Sequence, residues 1–270
     1  MQFDDNHIAI RERDLLDVLD LSLRVCRAYA GPLSRALAIG AIPAMLINAW
    51  LLSDLADFDI QWGTPFQYVF WMIVLVVWEL PLVTAPMTLY LGRALFGDRP
   101  RPGEIAREFV RALPQMLLFQ GILRAMLILP ITWIFLFAVW PYLSEVILLE
   151  RNPIRAGRSR RMTTWRRRKH LHEGYVAELF ARWLGSATAA VLLCLAVWGS
   201  ITMAAGTLVN DWQWHDTVFT VFAPLAMWVV VGYFAVVRFL GYLDLRIRRE
   251  GWEVELSMRA EKTRLTRQLA

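Results

Sequence analysis

Ionisable residues that lie inside long apolar stretches are the first candidates for chemistry. Glu79, Glu145 and Arg238 each interrupt a hydrophobic run of the length that crosses a bilayer. A charged side chain facing lipid is costly, so such groups are expected to face the bundle interior and to pair. We therefore predict a polar cluster in which Arg238 reaches toward either carboxylate. The alternative is that Glu145 and Arg238 extend to the lipid head groups and only Glu79 is buried.

The second candidate is a basic segment with seven arginine and lysine residues in close succession. Beside a membrane, each such charge contributes about 1 kcal/mol to the attraction of anionic lipids, so the segment predicts head-group binding. Nucleic-acid binding needs a groove or a stacking platform, which the single neighbouring Trp165 does not supply, and no nucleic-acid partner is expected. The basic residues are Arg158, Arg160, Arg161, Arg166, Arg167, Arg168 and Lys169.

Motifs typical of enzymes are missing from the sequence. It has no Walker-type glycine loop, no His-Glu-x-x-His, no Gly-x-Ser-x-Gly and no acidic metal motif. The four histidines are scattered without zinc-ligand spacing, and Cys26 and Cys194 are expected at different depths as small apolar fillers. We expect a non-enzymatic protein that binds neither a cofactor nor a metal.

The hydropathy of the chain indicates an all-α polytopic membrane bundle. Hydrophobic residues make up 57% of the 270 residues, and the apolar runs lack the two-residue alternation of membrane strands. Two of the six predicted spans form a hairpin that turns near Pro130, although a re-entrant arrangement is also open. The predicted spans are Ala36–Leu52, Phe66–Leu91, Phe109–Leu129, Ile131–Leu149, Gly185–Leu208 and Val218–Leu243.

The distribution of arginine predicts the orientation of these spans. Ser53–Pro65 and Val209–Thr217 contain aspartates but no Lys or Arg, whereas the basic residues fall in the other connections. By the positive-inside rule, both termini are cytoplasmic and those two loops face outward. The N-terminus has no short apolar core followed by a cleavage site, so no secretory signal is expected. We predict a bacterial inner-membrane protein.

Three regions follow from this topology. Residues 1–35 form a cytoplasmic N-terminal segment in which Asp14–Arg27 predicts an interfacial amphipathic helix. Residues 36–243 form the six-span membrane domain, and residues 244–270 form a charged cytoplasmic tail. Two further cytoplasmic amphipathic segments, Gly103–Leu113 and Leu171–Arg182, are predicted within the membrane domain.

Two short motifs resemble a bacterial membrane-protein family. In the first, a helix ends in Glu150 and a short turn leads to Arg158-Ser159. In the second, the chain closes with Tyr242-x-Asp244-x-Arg246-x-x-x-Glu250-Gly251. Both are similar to proteins related to the membrane domain attached to some glycerophosphodiester phosphodiesterases. The resemblance implies a fold and a membrane location but no activity, and nothing after Leu256 is expected to supply the soluble phosphodiesterase barrel.

The second motif is expected to have a structural role. A helix through Tyr242–Gly251 would bring Asp244 near Arg248 and Tyr242 near Arg246. We expect it to end the last span and to tie the charged turn there to the basic segment after the fourth span.

These observations predict a non-catalytic accessory or scaffold subunit that works with partner proteins and anionic lipids. The alternative is a small-solute or lipid transporter, which would need a polar cavity and a second conformation. An intramembrane enzyme comes third, because the paired nucleophile and base are missing.

Overall fold

The computed structural model describes residues 14–56, 65–94, 101–121, 142–150, 153, 163–210, 212 and 216–248. All regular structure in these ranges is helical, which confirms the predicted helical class. The α-helices are α1 (Leu15–Ala28), α2 (Ala30–Leu51), α3 (Ser53–Ala56), α4 (Phe66–Ala94), α5 (Pro102–Met116), α6 (Leu143–Glu145), α7 (Thr164–His172), α8 (Val176–Val209) and α9 (Ala223–Arg246). The π-helical turns Leu117–Gly121 and Val146–Glu150 extend α5 and α6, and the π-helical turn Val218–Phe222 leads into α9.

Four helical stretches within the described ranges are long and apolar enough to cross a membrane. They coincide with the first, second, fifth and sixth predicted spans, although their ends differ, because a helix continues until a turn residue stops it. The predicted interior of the hairpin, including Pro130, lies outside the described residues, so the total of six spans stays a prediction. The four stretches are Ala30–Leu51, Phe66–Ala94, Val176–Val209 and Val218–Arg246.

The predicted amphipathic segments take different forms. α5 continues from Pro102 to Met116 and so runs across the predicted boundary at Phe109 between an amphipathic segment and a span. Leu171–Arg182 is divided by a turn in which Gly174 has a φ of 90°, a conformation that glycine adopts at low cost. Its first residues end α7, and the remainder is the first part of α8.

α9 packs against α1, α2, α4 and α8, and half of its most apolar stretch is buried inside the bundle. Val236 and Phe239 are fully buried against α1 and α4. Nearer the start of α9, Trp228 packs into a cluster with residues of α2 and α4. The buried face of α1 consists of Val18, Ser22 and Val25, while its acidic and basic residues lie on the other faces.

α2 and α4 pack in close contact at Gly40. A Cβ atom at this position would lie 2.9 Å from the carbonyl oxygen of Val83 and 3.0 Å from its Cα atom. Both partner atoms belong to the backbone, so they cannot rotate away. Only glycine therefore permits this helix–helix distance.

Candidate functional site

The charged end of the bundle is formed around the last turns of α9, where two of its faces carry different polar residues. Arg238 and Tyr242 are four residues apart and share one face of the helix. Asp244 and Arg248 are also four residues apart and share another face. α9 thus presents one pair of polar side chains to α6 and the other pair to α8.

The π-helical turn Val146–Glu150 brings two carboxylates to the same side of α6. Residues five apart in an α-helix point in different directions, whereas a π-helix has i→i+5 hydrogen bonds and places them almost above one another. Glu145 and Glu150 are five apart, and both reach α9. The local widening of the helix therefore sets the spacing that matches Arg238 and Tyr242.

The contact between Glu145 and Arg238 contains a buried carboxylate. Glu145 Oε1 accepts hydrogen bonds from Arg238 Nη2 at 2.6 Å and from Arg238 Nε at 3.0 Å. The Glu145 side chain is only 1% exposed, whereas that of Arg238 is 28% exposed. The arginine thus bridges a buried carboxylate and the edge of the bundle, as a long side chain in a membrane helix does.

The contact of Glu150 with Tyr242 also includes Arg167, so it joins three helical elements. Tyr242 Oη donates to Glu150 Oε1 at 2.7 Å. Arg167 of α7 donates to the same carboxylate from Nε at 2.6 Å and from Nη2 at 3.0 Å. This two-point geometry is the strong form of a guanidinium–carboxylate interaction. Glu150 consequently fixes α7 to the end of α9.

The other face of α9 is tied to the first turns of α8. Asp244 Oδ2 accepts from Arg182 at 2.9 Å and from Arg248 at 3.0 Å. Glu178 Oε1 lies 2.7 Å from Arg248 and 3.1 Å from Arg182. Two carboxylates and two guanidinium groups therefore form a closed network in which each charge has an opposite neighbour.

Glu79 takes a different partner from the one that the sequence suggested. Its Oε2 atom accepts a hydrogen bond from Asn48 Nδ2 at 3.0 Å, within the contact between α2 and α4. The structure brings Glu145 and Arg238 together, and it places Glu79 in a separate contact with an amide.

α7 carries the described part of the predicted lipid-binding segment. Arg166 and Lys169 are exposed, whereas Arg167 is largely buried in its contact with Glu150. Arg168 lies over the ring of Trp165, 4.6 Å from its centroid, and burial lowers the pKa of its guanidinium from the usual value. Thr163 precedes the helix as its N-cap, and its side chain accepts a hydrogen bond from the Arg166 amide.

The remaining predicted residues have different positions. Arg246 lies half-buried in the last turn of α9. Six of the predicted site residues fall outside the described ranges: Arg158, Ser159, Arg160, Arg161, Glu250 and Gly251.

Sequence reasoning missed several members of these contacts. Glu178 and Arg182 belong to the predicted amphipathic segment Leu171–Arg182, and their spacing of four is the signal of an ion pair within a helix. Asn48 is a single amide in an apolar run, and such a group is expected to pair with a second polar group. Arg93 pairs with Glu104 and with Glu108, which joins the end of α4 to α5.

The chemical character of the site is that of fixed charges. Each carboxylate described above at the charged end has a guanidinium nitrogen within 3.0 Å. No group of three His, Cys, Asp or Glu residues suited to a metal ion occurs in the part of the chain that the structure describes. The arrangement connects helices and sets their spacing.

Comparison of the chain with protein-family models, with curated proteins and with solved structures gave no match.

Proposed function

We propose that this chain is a non-catalytic, multi-pass component of the bacterial inner membrane, an accessory or scaffold subunit that works with partner proteins and anionic lipids. In this proposal the chain crosses the membrane six times, and its charged end faces the cytoplasm. The four long apolar helices support a membrane location. The distribution of arginine supports the orientation.

The observation that carries the proposal is the attachment of α7. Arg167 holds this helix against Glu150, while the neighbouring Arg166 and Lys169 remain exposed. A basic helix held in one place beside the apolar bundle suits a surface of anionic head groups, each of whose contacts contributes about 1 kcal/mol. Trp165, which is 49% exposed, has the amphipathic ring that favours the membrane interface.

The resemblance to the membrane domain of glycerophosphodiester phosphodiesterases forms part of the proposal. Its two motifs are separated by about ninety residues, yet their residues Glu150 and Tyr242 are hydrogen-bonded. A contact between the motifs gives a structural reason for their presence in one chain. It also favours a structural role for both.

The test is purification of the full chain in mild detergent, followed by mass spectrometry of the lipids and proteins that accompany it. We expect anionic phospholipids to be enriched, and the variant R166Q/K169Q to lose part of this enrichment in a salt-dependent manner. R24Q/R27Q is the matched control, because it removes the same number of charges from another exposed helix face, on α1, and so separates a role of α7 from a general loss of positive charge. Unchanged lipid enrichment in R166Q/K169Q at low salt would contradict the lipid-binding role. Recovery of the chain without any stoichiometric protein would contradict the accessory role.

Transport of a small solute or lipid is the second candidate, and one observation favours it. A cavity of about 670 Å³ lies between α2, α4 and α5. Transport requires this cavity to open alternately to the two sides of the membrane. Uptake or lipid-flipping assays in proteoliposomes, with the purified chain alone, distinguish a transporter from a scaffold.

A further inference from the structure

The cavity between α2, α4 and α5 has a volume of about 670 Å³, within the usual range for ligand sites. Most of its wall is apolar and comes from all three helices. Six of these apolar residues are Ala36, Ile39, Leu82, Pro86, Ile105 and Phe109. Such a lining suits a hydrocarbon chain.

Polar groups lie at one end of the cavity. Arg35 lines it together with Tyr29 and Tyr90, whose rings meet edge to face with centroids 6.1 Å apart. The Arg35 side chain is exposed, and its Nε atom donates to the carbonyl oxygen of Gly31 at 3.2 Å. No carboxylate in the described ranges forms an ion pair with Arg35. A cation therefore stands at the mouth of an apolar space.

The position of Arg35 along its helix matches the level of lipid head groups. Arg35 is five residues from the start of α2, about 7 Å along the axis. The end of α4 and the start of α5 line the same part of the cavity through Ala94 and Pro102. The polar end thus lies at the helix termini, and the apolar part extends toward the middle of the spans.

The cavity is open at the side of the bundle. Ile39, one turn beyond Arg35, is 72% exposed although it lines the cavity. Ala106 of α5 also lines the cavity and is exposed. In a membrane this side faces lipid, so a hydrocarbon chain can enter without crossing the protein.

We propose that this cavity is a specific site for an anionic phospholipid, with one acyl chain in the apolar space and the phosphate bound by Arg35. The charge at the mouth selects the negative head group, and the tyrosine hydroxyls of Tyr29 and Tyr90 are available to donate to its oxygen atoms. Basic pockets between membrane helices recognise anionic head groups in this way. The site goes beyond the proposed function, because it shares no residue with α7.

The experiment uses the full chain in nanodiscs that contain phosphatidylglycerol with a photoreactive diazirine in one acyl chain. After irradiation, mass spectrometry of the digested protein locates the label. We expect the label on peptides that contain Leu82 and Phe109. Replacement of the probe by phosphatidylcholine with the same diazirine chain should give much weaker labelling, because its head group carries no net charge.

Two variants test the two halves of the site. R35Q should reduce the label about tenfold, the effect of one charge-assisted hydrogen bond. A106W should reduce it by filling the mouth of the cavity while the charge of Arg35 is kept. The matched controls are R27Q and A177W, since both residues are exposed and neither lines the cavity.

Each outcome decides between this site and its alternatives. The proposal would be overturned if R35Q and A106W were both labelled as strongly as the wild type. It would also be overturned if the phosphatidylcholine probe labelled the wild type as strongly as the phosphatidylglycerol probe does. Loss of the label in millimolar inorganic phosphate would mean that the site binds a soluble anion instead. If R35Q fails to fold, A106W still tests the site. R166Q/K169Q should leave this label unchanged, so failure of the cavity site and failure of the α7 surface are separate results.

Discussion

Arg238 reaches across from α9 and donates two hydrogen bonds to a single oxygen atom of Glu145, its Oε1. The second oxygen, Oε2, is buried without a hydrogen-bond partner in the described part of the chain. Arg238 thus supplies the cation that pairs with this buried side chain.

Removal of the cation should therefore be costly. We expect R238M to lower the stability of the protein by about 3–5 kcal/mol, because Glu145 would be left buried without its cation. Thermal unfolding in detergent measures the effect. The double variant R238M/E145M should recover most of the loss, since two apolar side chains of similar volume replace the pair. An equal loss in the single and double variants would show that the charge pair is not the cause.

Glu79 should behave in the opposite way. Asn48 Oδ1 is buried and accepts no hydrogen bond within the described ranges, while its Nδ2 already donates to Glu79. In E79Q the new amide group can donate to that oxygen atom, and an ionisable group is removed from the apolar bundle. We expect a melting temperature equal to or above that of the wild type. A marked decrease would mean that the carboxyl group of Glu79 is needed for folding.

We expect Arg167 to contribute to the stability of the fold and its neighbours Arg166 and Lys169 to contribute little. R167Q should destabilise the protein, because it removes the two-point contact with Glu150. Y242F keeps the shape of the side chain and loses one hydrogen bond to a carboxylate, so we expect a cost of about 1–3 kcal/mol. R166Q and K169Q should leave the melting temperature unchanged, since both side chains are exposed. Equal melting temperatures for R167Q and R166Q would contradict this assignment.

The orientation of the helices can be tested by labelling single cysteines. Ser53 and His170 are exposed, and the predicted topology places them on opposite sides of the membrane. In a background without Cys26 and Cys194, S53C should react with an impermeant maleimide added to intact cells, and H170C should react only after permeabilisation. Labelling of both positions from the same side would contradict the orientation.

The packing of α2 on α4 gives a prediction with an internal control. G40A places a Cβ atom against the backbone of Val83, so we expect a loss of about 1–3 kcal/mol. Gly199 is also within a helix, but a Cβ atom there would meet nothing within 4 Å. G199A should raise stability slightly, because alanine favours the helix by about 0.5–1 kcal/mol. Chemical or thermal unfolding of the two variants in the same detergent compares them directly.

Hydropathy is enough to predict the helical class and the places of four long helices, because a run of about twenty apolar residues has the length of a membrane-spanning helix. The pairing of Arg238 with Glu145 could not be predicted from sequence position alone. A charge in an apolar run indicates that it has a partner, but it does not show which residue the partner is. Glu145 and Glu150 are out of phase in an ordinary α-helix. Sequence periodicity therefore could not show that the π-helical turn brings both carboxylates to α9.

The continuous course of α8 has a mechanical consequence. Its 34 residues measure about 51 Å, well beyond the hydrocarbon thickness of about 30 Å. The predicted span Gly185–Leu208 accounts for about 36 Å of this length, so the polar first turns extend beyond the hydrocarbon and the remaining mismatch is relieved by tilting. Arg182 and Glu178 hold the first turns of α8 to the end of α9, so α8 cannot change its angle there without straining those ion pairs. A change in bilayer thickness would then be transmitted to the charged end of the protein as a torque on α9.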